Sequence, residues 1–205
     1  MARWRSKEMV LNVSTTNEAI LFLEALQKQI KIVDIIADYF PGKVNIRFEG
    51  SKDNLKEALD LAKKMHQNIC GMLYPDSNDF YVYDIEFLSK TTGKTFPVVP
   101  LLQILDVKGF ESTRKNGSII AKIDYKSLIK TITILDKTLN EIPYEVATSS
   151  LRDVIITIAV AKDMTAESAV EIAKKAKIVT KDELDRLNLV VEPKQAIEKC
   201  LKIAK

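Results

Sequence analysis

Apolar and polar positions alternate cleanly at the start of the chain. Between Lys7 and Val13, Met9, Leu11 and Val13 alternate with Glu8, Val10 and Asn12, the two-residue period of a half-buried strand. The period then changes. Thr15 stands as an N-cap with Glu18 three residues on, a capping box. Ala19, Ile20, Leu23, Leu26 and Ile30 follow at helical spacing and form one apolar stripe. Ile32–Tyr39 is β-branched and strand-like, with apolar residues on both faces, and Pro41-Gly42 marks a turn. In Lys43–Glu49, Val44, Ile46 and Phe48 share one face, while Lys43, Asn45, Arg47 and Glu49 share the other. Ser51 caps a second helix whose buried stripe is Leu55, Ala58, Leu59, Ala62 and Met65, and Asn68–Tyr74 reads as a fourth strand. Together these signals predict a ferredoxin-like βαββαβ unit, with helices on one face of an antiparallel sheet.

The second part of the chain reads differently. Pro75-Asp76-Ser77-Asn78-Asp79 is turn-forming, which places a domain boundary near residue 76 and predicts domains over 1–76 and 77–205. Phe80-Tyr81-Val82-Tyr83 is a dense aromatic cluster, readable as an extra strand, as a hydrophobic entry to a helix or as a base-stacking surface. A short helix over Asp84–Thr91 ends at Gly93. Pro97 and Pro100 open a leucine-rich helix that stops at Gly109. Phe110–Ile123 holds Asn116-Gly117, a strong hairpin signal. Helix, glycine turn, helix, hairpin is the order of a winged helix, and Arg114, Lys115 and Lys122 lie on the wing. Further helices are predicted over Tyr125–Ile142, Leu151–Ala161 (nearly all apolar, hence central), Ala166–Lys177, Asp182–Leu187 and Lys194–Ala204. The fold class is therefore α+β: a ferredoxin-like domain, then a mostly helical domain carrying a hairpin at 110–123.

Composition narrows the functional classes. The 205 residues are 46% hydrophobic with a net charge of +3, enough to bury a core and too mild to demand a polyanionic partner. No apolar run approaches the roughly 20 residues of a membrane span. No apolar segment follows Met1-Ala2-Arg3-Trp4-Arg5, which predicts a chain without a signal peptide. Cys70 and Cys200 read as reduced thiols of a cytoplasmic protein. Abundant Lys and Ile, with one His and one Trp, fit a thermophile's proteome.

Catalytic chemistry is hard to find. Thr92-Gly93-Lys94-Thr95 ends like a phosphate loop, but the glycine required five residues before Gly93 is Leu88. His66 has no companion histidine and no cysteine pair at ligand spacing, so neither a metal nor a cofactor is predicted. Neither cysteine has a base nearby in sequence. The expectation is a non-enzymatic protein. Its leading function is nucleic-acid binding, RNA favoured over DNA, with Lys43, Asn45 and Arg47 on the open sheet face and Arg114, Lys115 and Lys122 on the wing meeting phosphates. Two alternatives stand beside it: a protein–protein adaptor or homodimer using the sheet or Phe80–Tyr83, and an enzyme binding a nucleotide at Thr92–Thr95.

Two longer stretches carry a resemblance. Pro97 to Phe110, with its Leu-rich helix ending in Lys108-Gly109-Phe110, is one. Ser149 to Ile178, with its Ala161-Lys162-Asp163-Met164-Thr165 turn, is the other. In these the chain resembles a family of archaeal proteins of unknown function of about this length. The resemblance implies an archaeal cytosolic protein and assigns no activity or functional residue.

Overall fold

A computed structural model describes residues 4–204. The first three positions of the predicted leaderless start, Met1 to Arg3, lie outside the described residues, as does Lys205. In chain order the elements are β1 (Arg5–Asn12), α1 (Thr16–Gln29), β2 (Asp34–Phe40), β3 (Lys43–Gly50), α2 (Lys52–Leu73), β4 (Tyr81–Asp84), α3 (Ile85–Thr92), α4 (Val98–Val107), β5 (Ser112–Lys115), β6 (Ser118–Ala121), α5 (Tyr125–Asn140), α6 (Ser149–Ala161), α7 (Ala166–Lys175), β7 (Val179–Lys181), β8 (Leu187–Leu189) and α8 (Pro193–Ile203). The chain is mixed α+β, and its packing separates two units. Residues up to 93 together with 114–120 form one; residues 94–113 and those from 121 onward form the other.

In the first unit, β3 is the central strand of an antiparallel sheet ordered β1-β3-β2. The alternation in β3 orients it as predicted. Val44, Ile46 and Phe48 are buried, while Lys43 and Arg47 are exposed. The apolar row is buried on the side where α2 packs on β3, and Phe22 and Leu26 of α1 and Leu55 and Met65 of α2 are buried as well. Both helices start on caps legible in the sequence: Thr15 Oγ1 accepts the Glu18 N–H at 3.1 Å, and Ser51 Oγ accepts the Asn54 N–H at 3.3 Å.

The predicted fourth strand is instead helical. Asn68–Leu73 forms the end of α2, which runs for 22 residues. The stripe Leu55, Ala58, Ala62, Met65 continues at the same spacing through Ile69 and Met72, both buried. Burial along one helical face outweighs the strand-like local composition. The N-terminal layer is therefore βαββα, and its sheet has three strands, not the four of a ferredoxin-like βαββαβ unit. Gly71 explains how β4 comes close to this helix. A Cβ there would stand 3.1 Å from the Val82 carbonyl oxygen, so glycine permits the approach. β4 then joins the hairpin in a second sheet ordered β4-β6-β5. Asn116 and Gly117 both take positive φ, 49° and 79°, the conformation that a tight two-residue hairpin turn requires.

In the second unit, α6 is the central helix the sequence predicts. Leu151, Val154, Ile155 and Ile158 are fully buried, and α4, α5, α7 and α8 pack around them. The helix expected over Asp182–Leu187 is instead the turn of the β7–β8 hairpin. Asp182 Oδ1 accepts the N–H groups of Leu184 and Arg186, both at 2.9 Å, and Asp185 adopts φ 60°. This local side-chain capture competes with a helix and wins.

Candidate functional site

Of the residues chosen from the sequence for phosphate contact, Lys43, Asn45, Arg47, Arg114 and Lys115 lie in the first unit and Lys122 lies in the second. The register fixes the open face of the sheet. It presents Ser6, Glu8, Val10 and Asn12 from β1, then Glu49, Arg47, Asn45 and Lys43 from β3, then Asp34, Ile36, Asp38 and Phe40 from β2. Lys43, Asn45 and Arg47 do share this face. They share it with four carboxylates, Glu8, Glu49, Asp34 and Asp38, against two cations, so the bare side is net acidic. Arg47 is paired with Glu8 at 3.2 Å, and the Lys43 ammonium lies 5.5 Å over the Phe40 ring. A depression of about 330 Å³ opens here, lined in part by Val10, Ile36, Asp38, Asn45 and Arg47. At its floor the Asn45 Oδ1 is shielded from solvent and has no hydrogen-bond partner.

Arg114 and Lys115 are exposed at the hairpin tip. Lys122, in the second unit, is bonded to Glu111 at 3.1 Å. The Thr92–Thr95 stretch does not form a phosphate cradle. Gly93 is the left-handed C-cap of α3, Thr92 Oγ1 donates to the Leu88 carbonyl at 2.8 Å, and Lys94 is paired with Asp136 at 2.9 Å. Tyr81 and Tyr83 stack at 6.2 Å between centroids, but Tyr83 is fully buried within the β4 strand.

The most concentrated chemistry lies elsewhere, between α1 and α2. Glu18, in the first turn of α1, is only 2% exposed. Its Oε2 accepts the Ser14 N–H at 2.8 Å and the Tyr74 hydroxyl at 2.7 Å. The predicted capping box thus forms one residue off: the carboxylate reaches the residue before the cap. Its Oε1 faces α2, where His66 Nε2 stands at 3.0 Å and Cys70 Sγ at 3.6 Å. Cys70 Sγ and His66 Nε2 are 3.7 Å apart. The helix sets this geometry, because His66, Cys70 and Tyr74 follow one another at intervals of four and so share one face. The Phe22 ring meets the imidazole edge-on, centroids 5.6 Å apart at 77°, and fixes its plane.

Burial pushes the Glu18 carboxyl up, but the Ser14 N–H, the Tyr74 hydroxyl and His66 together outweigh it and hold the acid below its ordinary value. Burial, with the Glu18 carboxylate beside it, pushes the Cys70 thiol up. That is the reverse of what a cysteine nucleophile needs. Burial alone pushes Cys200 up to about 11, as in an inert core thiol. Sequence reasoning set His66 aside for want of a companion histidine or a cysteine pair, and its partner Glu18 is 48 residues away. The row His66, Cys70, Tyr74 on an amphipathic helix was the available signal.

By its elements this is an α+β protein built of a three-stranded sheet under two helices and a helical unit around α6. The chain belongs to the family described as an uncharacterised protein conserved in archaea (DUF2067), whose model matches residues 11–198. No curated protein and no solved structure matches it significantly. No helix among the described residues is long and apolar enough to cross a membrane.

Proposed function

We propose that this protein is a self-associating interaction module, two copies joining edge to edge through β2. The observation that carries this reading is β2 itself. Its outer edge pairs with no strand among the described residues. It is seven residues long, lacks proline and lysine, and leaves Ile36, Tyr39 and Phe40 52%, 42% and 44% exposed. Chains that stay single ordinarily protect such an edge with lysine, proline or a bulge. The segment Asp-Ile-Ile-Ala-Asp-Tyr-Phe also suits a second copy of itself. In an antiparallel pairing centred on Ala37, Ile35 lies opposite Tyr39 of the partner subunit, and Phe40 lies opposite Asp34 of the partner subunit. Because Lys43 already leans over the Phe40 ring, the partner's Asp34 would fall beside that cation, once on each side of the two-fold axis.

Light scattering on the full chain over a range of concentrations tests this. The dimer mass is expected, Ala37→Asp should give the monomer by opposing two carboxylates on the axis, and oxidised Ala37→Cys should run as a disulfide-linked dimer. A wild type that stays monomeric throughout, or a folded Ala37→Asp dimer, overturns the proposal.

A second reading, nucleic-acid binding, is supported by one specific observation. The chain order α2-β4-α3-α4-β5-β6 and the sheet order β4-β6-β5 are those of winged-helix domains. In that reading α4 exposes Val99 and Asp106 and carries no cation, so Arg114 and Lys115 would carry the phosphate contacts. Filter binding to RNA and to DNA at low and high salt is the test: absence of affinity at low salt, or affinity untouched by Arg114→Glu with Lys115→Glu, ends it.

A further inference from the structure

We infer that Glu18, His66 and Cys70 form a zinc site, with Glu18 Oε1, His66 Nε2 and Cys70 Sγ as three ligands and a fourth position left to water or an external donor. The spacing is the first argument. A tetrahedral zinc with ordinary bond lengths to oxygen, nitrogen and sulfur holds those atoms roughly 3.3–3.6 Å apart. The three atoms here stand 3.0, 3.6 and 3.7 Å from one another. They converge on one point from two helices, and they are the group of this kind found among the described residues.

The donor set is the second argument. Carboxylate oxygen, imidazole nitrogen and thiolate sulfur suit a borderline ion, while calcium and magnesium call for oxygen alone. On binding, the Cys70 S–H bond breaks, sulfur keeps the electron pair for the metal, and one proton leaves to solvent. The thiolate and the Glu18 carboxylate then balance the two positive charges of the ion, and His66 binds neutral.

The outer contacts are the third argument. The Ser14 N–H and the Tyr74 hydroxyl hold Glu18 Oε2 at 2.8 and 2.7 Å, which turns Oε1 toward α2. Ligating carboxylates are commonly oriented this way. The Phe22 ring does the same for the imidazole. The His66 side chain keeps 20% of its surface open, so an ion has a way in.

The test uses the full chain stripped with a chelator, then titrated with zinc by calorimetry and with cobalt(II) in an absorbance cell. One equivalent of zinc per chain is expected, with a proton released. Cobalt should give a sulfur-to-metal charge-transfer band that Cys70→Ser abolishes. His66→Ala should weaken zinc binding by more than the ~10–100-fold expected of Tyr74→Phe, which removes only an outer contact. Cys200→Ala, far along the sequence in the other unit's core, should bind as the wild type does. Circular dichroism of each stripped variant separates a lost ligand from a lost fold. Absence of zinc uptake by the folded wild type, or equal affinity in folded Cys70→Ser, overturns the assignment and leaves the cluster as a hydrogen-bonded tie between α1 and α2.

Discussion

The two units solve the burial problem in opposite ways. The second surrounds α6 with hydrocarbon: Val154, Ile155, Ile158, Val170, Ile178 and Cys200 form one dry cluster, and its carboxylates and lysines pair near the surface, as Lys174 does with Glu145 and Glu171. The first places a nearly inaccessible carboxylate, an imidazole, a thiol and a phenol together between its helices, and leaves apolar β2 at a bare sheet edge. The two cysteines summarise the contrast, one among polar groups and one in hydrocarbon. Burying an acid carries a desolvation cost, and an unprotected edge invites pairing with another chain. Among the described residues of the second unit the nearest counterpart is Asp153 on α6, a half-buried carboxyl that burial pushes up. Features that a fold does not need for its own sake are where function is to be sought, and both belong to the first unit.

Three measurements would break or sharpen that contrast. The largest effect is expected in the hydrocarbon core. Ile155→Ala should cost about 2–5 kcal/mol in denaturant unfolding, because neighbouring helices cannot fully close over the void; a loss under about 1 kcal/mol would mean α6 is not the organising helix. Next comes Glu18→Ala in metal-free protein. It leaves the Ser14 N–H, the Tyr74 hydroxyl and His66 without their acceptor, at a cost of about 1–3 kcal/mol. A stabilised variant would show that the first unit keeps its buried acid against its own stability. The smallest effect is at the surface of the second unit. Asp124 accepts the Ser127 N–H at 3.1 Å as the N-cap of α5, and Asp124→Ala should cost about 1 kcal/mol. Contact with Ser127, through its side chain and its N–H, holds this carboxyl below its ordinary value of 3.8. Its stabilisation is therefore present above that value and lost as pH falls through the depressed one. Acid titration of stability should bring wild type and variant together at the low end.

Much of the fold was legible because local signals agreed with tertiary ones. The alternation of Val44, Ile46 and Phe48, the caps at Thr15 and Ser51, and the Asn116-Gly117 turn are each decided within a few residues. Asn68–Leu73 was misread because Ile69 and Gly71 look strand-like or helix-breaking locally. The helical stripe that overrides them is visible only when all 22 residues of α2 are read as one period. The open face was misjudged for a related reason. Lys43 and Arg47 are cations in β3, but the neighbouring carboxylates come from β1 and β2, and only the register brings them together. The Glu18 cluster shows the limit most clearly. The capping role of Glu18 was readable from three residues of sequence, whereas its meeting with His66 and Cys70 depends on how two helices lie across a sheet.

The first turn of α1 does more than hold Glu18. Thr16, two residues earlier, shares a 3.0 Å hydroxyl–hydroxyl bond with Tyr39 on β2. Thr16 and Glu18 both lie within the first turn of α1. The exposed tyrosine is thus moored to the same helical turn that carries the buried carboxylate.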